Sequence, residues 1–250
     1  MHDANADARE FEAYEWITGA APALVLTCEH ASERLPAPWS WPAPDRRLLG
    51  THWSHDIGAA AITRALARAL ACPAVLSRFT RLLVDPNRAL EQPGLFRELA
   101  EGEPVVLNAD ITPSDRARRL DDYYHPYRRA VDRALEQRPG APLLSIHSFT
   151  PLYEGAHRAM EIGVLFTRHE RVAWALADQL GHHGWIVALN EPYSAHDGFA
   201  CCPETHAERH GRAWVELEIR QDIAADPARR DALVEQLAAA APAAFAASSK

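Results

Sequence analysis

Cysteine is too sparse in this chain to build a framework. Cys28, Cys72, Cys201 and Cys202 are the only four, none falls in a Cys-x-x-Cys spacing, and the adjacent pair is poorly placed to bridge to itself. Disulfide scaffolds and thiolate-held structural metals are thereby excluded, and a reducing compartment fits best. A basic excess is missing too: 34 acidic residues face 26 basic ones, the net charge is -8, and arginines are mixed with Asp and Glu. Nucleic acid and anionic membranes are not expected as partners. No stretch approaches the roughly 20 apolar residues of a membrane span. Met1-His2-Asp3-Ala4 lacks the basic start and apolar run of a secretory signal, so a soluble, cytoplasmic protein is expected. Linkers, internal repeats and low-complexity tracts are absent apart from an alanine-rich tail. A chain of 250 residues can bury a large core, and one domain over 1–250 is expected, its polar residues 1–15 frayed.

What is present is an alternation of short apolar runs with helical spacings. The runs at 23–28, 74–77, 82–84, 143–148, 161–166, 185–189 and 215–219 read as strands. In 59–71, Ile62, Leu66 and Leu70 share a helical face and Pro73 stops the helix; Val172, Leu176 and Leu180 do the same in 169–182, which Gly181 and Gly184 close. Thr112-Pro113-Ser114-Asp115 carries an N-cap, a proline in the first turn and an acidic residue, so a long helix is expected to about Gln137, kinked at Pro126. That kink aims Tyr123, Tyr124, His125 and Tyr127 to one side. A short helix near 204–210 and an alanine-rich one from 227 follow, while 32–45, 151–158 and 190–198 read as loops and 91–108 as a loop with strand fragments. The alternation predicts an α/β fold, a helix–sheet–helix sandwich.

The chemistry-bearing residues gather at the ends of these runs. Leu143-Leu144-Ser145-Ile146-His147-Ser148 delivers a histidine where a parallel sheet keeps its ligand sites, and 23–28 runs into Glu29-His30. A catalytic zinc takes three His or carboxylate ligands and leaves a position for water. His30, Asp56 and His147 are the candidate ligands, with His55 and Glu29 as alternatives that spacing alone does not separate. Glu216 and Glu218 lie two apart on a strand and face one side, so they need a cation, a metal-bound water or exposure on an edge. Asp85, Asn87 and Arg88 suggest anion recognition, although an Asp-Pro-Asn turn explains them equally well. Cys28 with His30 is a weaker nucleophile candidate, since nothing is indicated to orient the pair. Tyr123, His125, Tyr193 and His196 are candidate pocket walls.

Taken together, 27–32, 52–58, 81–88, 145–148, 161–165 and 216–220 resemble the N-formylglutamate amidohydrolase family, in order and over most of 24–222. The resemblance implies a three-layer sandwich with a mixed sheet, phosphorylase/hydrolase-like and shared with zinc-dependent exopeptidases. It implies hydrolysis of the amide of a small N-acylated amino acid such as N-formylglutamate. In that frame His30, Asp56 and His147 match the Zn2+ ligands, other divalent metals being compatible with the same donors. Glu218 matches the catalytic carboxylate, Asn87-Arg88 the dipeptide that holds a substrate carboxylate, and Arg220 a second anchor. The sequence departs from the family pattern at 153–160 and 193–197, where the acyl group and amino acid would be selected. A zinc amidase or peptidase acting on cell-wall or peptide substrates, and a non-catalytic binder of an acidic metabolite, are the alternative readings.

Overall fold

A computed structural model describes residues 12–21, 24–153 and 155–247. In chain order these form β1 (Tyr14–Ile17), β2 (Val25–Cys28), α1 (Ala59–Leu70), β3 (Ala74–Ser77), β4 (Leu99–Ala100), β5 (Glu103–Pro104), α2 (Pro113–Arg119) and α3 (His125–Glu136). Then come β6 (Leu143–Phe149), β7 (Leu152–Tyr153), β8 (Ala156–His157), β9 (Ile162–Leu165), α4 (Glu170–His182), β10 (Val187–Leu189), α5 (Cys201–Arg209), β11 (Trp214–Arg220), α6 (Gln221–Ala225) and α7 (Pro227–Ala247). No helix among the described residues is long and apolar enough to cross a membrane.

Seven strands form one mixed sheet in the order β1-β3-β2-β6-β11-β9-β10. The run from β3 to β11 is parallel, while β1 and the β9–β10 pair meet it antiparallel. Side chains alternate across a strand, so each strand feeds two cores. Leu26 and Cys28, Leu144 and Ile146, and Val215, Leu217 and Ile219 pack on one face with α1, α4 and α7. Val25, Leu143 and Trp214 pack on the other, with α3 and α5. The molecule is thus an α/β sandwich with helices on both faces of a mixed sheet. Burial on both faces explains why its central strands read as continuous apolar runs.

Several local expectations change. Residues 82–84 are fully buried but form a turn, not a strand. Leu83 N–H bonds Thr80 O at 3.0 Å and Asp85 N–H bonds Leu95 O at 2.9 Å, which leaves no edge for a sheet partner. Burial under a loop produces the same apolar run as burial in a sheet. The kink expected at Pro126 is a π-helical turn at Leu120–Tyr124 between α2 and α3. Proline has no N–H to give the preceding turn, and a widened turn absorbs the missing bond. The expectation of a frayed start lies mostly outside the described residues, but Tyr14–Ile17 are docked as β1, paired from Tyr14↔Ser77 to Ile17↔Ala74. Ala23, the first residue of the run at 23–28, also lies outside them. The strand fragments expected within 91–108 are the hairpin β4–β5, whereas 151–158, expected as a loop, carries the hairpin β7–β8.

Candidate metal centre

Period-two alternation decides which residues meet. On the α3/α5 face, Leu143 is followed at alternate positions by Ser145 and His147, and Trp214 by Glu216 and Glu218. Register sets Ser145 beside both Thr27 and Glu216, and His147 beside Glu218. The outer half of each strand is apolar and the C-terminal half polar, so a buried polar cluster forms where the parallel strands end. Glu29 and His30 sit in the turn leaving β2. Asp56 comes from the segment before α1; its N–H bonds His30 O at 2.9 Å, and its Oδ2 accepts Ser148 N–H at 3.1 Å. Gly58 enters α1 with φ 83°, and a Cβ there would run into the Ala224 carbonyl. Only glycine lets this turn seat Asp56 against β6.

Both candidate histidines turn Nδ1 toward Asp56. His147 Nδ1 lies 2.8 Å from Asp56 Oδ2, and His30 Nδ1 lies 3.5 Å from the same oxygen. Each ring is held from behind by a carboxylate: His147 Nε2 is 2.9 Å from Glu29 and His30 Nε2 is 2.8 Å from Asp85. Such carboxylate backing fixes ring orientation and tautomer in metal sites. Glu29 is itself anchored by the Ser145 hydroxyl at 2.6 Å and the Tyr127 hydroxyl at 3.2 Å. Asp85 accepts from Arg81 Nη2 at 2.8 Å and from the Asn87 N–H at 2.9 Å. The Asp-Pro-Asn turn is therefore present, and its carboxylate also serves the site.

Electrostatics give the cluster an excess of negative charge. Burial pushes Glu29 up, but the hydrogen bond and charge of His147 and the Ser145 hydroxyl pull it down to about 2. Burial and the neighbouring charges of Glu29 and Asp56 outweigh His147 and lift Glu216 to about 7. The same kind of balance raises Glu218 well above the carboxylate range. For His147, burial favours the neutral ring, yet Glu216, Asp56 and Glu29 overcome it and raise the imidazole well above its usual range. Each uncompensated buried ion costs several kcal/mol. A divalent cation fits this donor set. Ligand atoms of His30, Asp56 and His147 lie within 4.8 Å of one another, as do those of His147, Glu216 and Glu218. His30 Nδ1 and Glu218 Oε2 are buried without a hydrogen-bond partner, as groups waiting for an ion and its water would be.

The centre forms the floor of a cavity of about 420 Å³ lined by Asn87, Arg88, Arg158, Tyr193 and Glu218 among others. Arg88 lies 5.0 Å over the Phe199 ring and donates to Gly198 O at 3.4 Å. Arg158 is boxed by Phe149, Tyr153 and Tyr193 at 5.6, 4.7 and 5.1 Å. Arg88, Arg97 and Arg158 make no ion pair among the described residues, so three guanidiniums face the cavity without a carboxylate. Asn87 also lines the wall, but its amide is engaged: Oδ1 accepts Cys202 N–H at 2.8 Å and Nδ2 donates to Phe199 O at 2.9 Å. Gly163, in register with Glu218, keeps the wall tight; a Cβ there would overlap the Glu191 carbonyl and lie 3.3 Å from Glu218 Cβ.

Arg220 is not brought to this cavity. It is bound to Asp222 at 2.7 Å, lies 3.6 Å from Glu161, and donates to Ala159 O and Met160 O at 3.1 and 3.2 Å. Alternation leaves it on the same side as Glu216 and Glu218, but at the last position of β11 its guanidinium is drawn onto Asp222 and the loop that follows β8. His55 faces Glu33 at 3.7 Å and lies outside the cavity lining. Cys28 packs with α1 on the opposite face, where burial pushes its thiol far up, and the strand ends before His30. No Cys–His pair forms. Tyr193 lines the cavity; Tyr123, His125 and His196 do not. The sequence reading missed Arg81, Arg97 and Arg158 as cavity residues. They sit in turns and irregular segments with no periodicity; Arg81 opens the 81–88 motif without having been assigned a role, and the departure at 153–160 marks the neighbourhood of Arg158 alone.

A family model described as FGase, N-formylglutamate amidohydrolase, matches residues 22–225. Among solved structures, the gene product Atu2144 from Agrobacterium tumefaciens is similar with a TM-score of 0.88 at 28% identity, over 97% of this chain and 98% of that one. N-formylglutamate amidohydrolase from Ralstonia eutropha JMP134 shares the fold with a TM-score of 0.70 at 19% identity, over 95% of this chain and 98% of that one. No curated protein sequence matches. The order of the motifs, the buried His/Asp/His cluster and the match across 22–225 agree: the chain belongs to the N-formylglutamate amidohydrolase family.

Proposed function

We propose that this protein is a metal-dependent hydrolase that cleaves the amide of small N-acylated amino acids, N-formylglutamate among them, on a zinc-exopeptidase-like scaffold. The observation that carries the reading is the pair of imidazoles converging on Asp56, each backed by a carboxylate, with the unpartnered Glu218 beside them. Two nitrogen donors and one carboxylate suit Zn2+, and manganese, iron or cobalt can occupy such a set. When bound, the ion supplies an acidified water and polarises the amide carbonyl.

The chain's own residues do the rest. Glu218, whose Oε2 is buried without a partner beside the candidate ligands, takes a proton there and returns it to the departing amine. Glu29 and Asp85 hold the His147 and His30 rings in one orientation. Arg88 and Arg158 grip the substrate carboxylate, since a guanidinium fork matches it and neither is paired with a carboxylate among the described residues. Burial of the cluster keeps bulk water away from the proton transfer.

Elemental analysis of the purified protein beside His147→Ala, with an assay for formate released from N-formylglutamate, tests the reading. About one metal ion per chain, lost in the variant together with activity, is expected. Metal absent from both after incubation with zinc overturns it.

A further inference from the structure

The cavity does not end at the metal centre. A second chamber of about 330 Å³ adjoins it, sharing His52, Trp53 and Tyr153 and adding Glu101, Gly102 and Leu152. Its sides are the two small hairpins: Glu101 and Gly102 are the turn between β4 and β5, and Leu152 and Tyr153 are β7. Leu152 is 49% exposed and Tyr153 38% exposed, so apolar surface faces solvent at its mouth. Charge is distributed unevenly between the two chambers. Arg88, Arg97 and Arg158 line the inner cavity and not the outer one. Glu101, the carboxylate of the outer chamber, is already held by Arg47 Nη1 at 3.1 Å. Burial, with the nearby Arg81 charge, keeps His52 toward its neutral form. No guanidinium lines the outer chamber, whose surface is mainly the Trp53 and Tyr153 rings and Leu152, with Trp53 Nε1 and His52 Nε2 as its partnerless buried polar atoms. Both volumes, about 420 and 330 Å³, fall in the range that encloses a small ligand.

We propose that the outer chamber binds the acyl tail of the substrate, so that the protein acts on N-acyl amino acids whose acyl group is an apolar chain or ring of several carbons. This rests on the hydrolase reading above. With the amino-acid carboxylate on the inner guanidiniums and the carbonyl at His30, Asp56 and His147, the tail is the part that must leave past His52, Trp53 and Tyr153. Each methylene fully buried there improves binding by about fourfold, and a half-open chamber by roughly twofold.

The test is kcat/KM for formyl-, acetyl-, butyryl-, hexanoyl- and phenylacetyl-glutamate on the metal-loaded protein and on Leu152→Glu. It is paired with calorimetric titration of hydrolysis-resistant N-alkyl glutamates of the same lengths. Leu152 is half exposed on a surface hairpin, and a thermal melt checks that the variant folds. Both kcat/KM and N-alkyl affinity should rise about two- to fourfold per methylene, and Leu152→Glu should flatten both slopes. Formyl preferred over every longer group, or slopes unchanged in the variant, overturns the chamber's role and leaves the hydrolase standing. No turnover of any member, with N-alkyl affinity still climbing with length, overturns the hydrolase reading and keeps the chamber. Neither turnover nor length-dependent binding overturns both.

Discussion

Glu29 and Asp56 clasp the His147 ring at opposite nitrogens, 2.9 Å from Nε2 and 2.8 Å from Nδ1. If Nε2 carries the proton toward Glu29, Nδ1 presents its lone pair to a metal, and Glu29 thereby selects the tautomer. Glu29→Gln keeps the shape and removes the charge. Zinc affinity, read by competition with a chromophoric chelator, should fall about 10–100-fold. Unchanged affinity would mean that the ring needs no carboxylate behind it.

Glu218 is assigned the proton transfer and no place among the metal ligands, so the two properties should separate. Glu218→Gln should retain its metal while kcat falls by about 10²–10⁴. Full activity in this variant would remove Glu218 from the reaction.

Arg158 and Arg220 differ by what already holds them. Arg158 sits among aromatic rings facing the cavity, whereas Arg220 is consumed by Asp222 and Glu161. Arg158→Gln should raise KM for a carboxylate substrate by roughly 10–100-fold, the worth of a charge-assisted hydrogen bond of about 1.5–3 kcal/mol. Arg220→Gln should change the melting temperature and leave KM near its original value. A large KM effect at Arg220 would reverse the assignment.

Asp132 ties α3 to α5 through His206 at 2.7 Å, His210 at 3.0 Å and Arg209 at 2.6 Å. Burial pushes its carboxyl up, but the hydrogen bond and charge of His206, with His210 and Arg209, bring it from 3.8 to about 2. Because the folded value is the lower one, this stabilisation is complete above 3.8 and is lost as pH falls toward about 2. Asp132→Asn should be less stable by about 1–2 kcal/mol near neutrality, with the gap closing in acid. Urea denaturation of both proteins at neutral pH and at about pH 2 reads this; a gap undiminished in acid would contradict it.

Much of the site was legible because strand periodicity and strand ends are local properties. His147 and His30 could be placed at strand ends, and Glu216 and Glu218 on one face of their strand, from their own neighbours in sequence; that His147 lies beside Glu218 came only from the register of β6 with β11. Glu216 and Glu218 were ambiguous between an edge and the interior, since strand order is a long-range property; β11 lies between β6 and β9, which removes the edge. The choice of Asp56 over His55 depended on Gly58 and its contact with Ala224, more than 150 residues away in sequence. Arg97 and Arg158 were invisible for the opposite reason to the strands: turns and loops have no period to read, and an arginine there looks like any solvated one.

Because alternate residues of β11 face opposite layers, a one-residue shift of that strand against β6 would set Leu217 beside His147 and drive Glu216 and Glu218 into the apolar layer under α1, α4 and α7. Misaligned sheets are thus penalised by stranded carboxylates before any catalysis is lost. The same acids that serve the reaction act during folding as a proofreading key, and replacing them with leucine would make a sheet freer to pair wrongly.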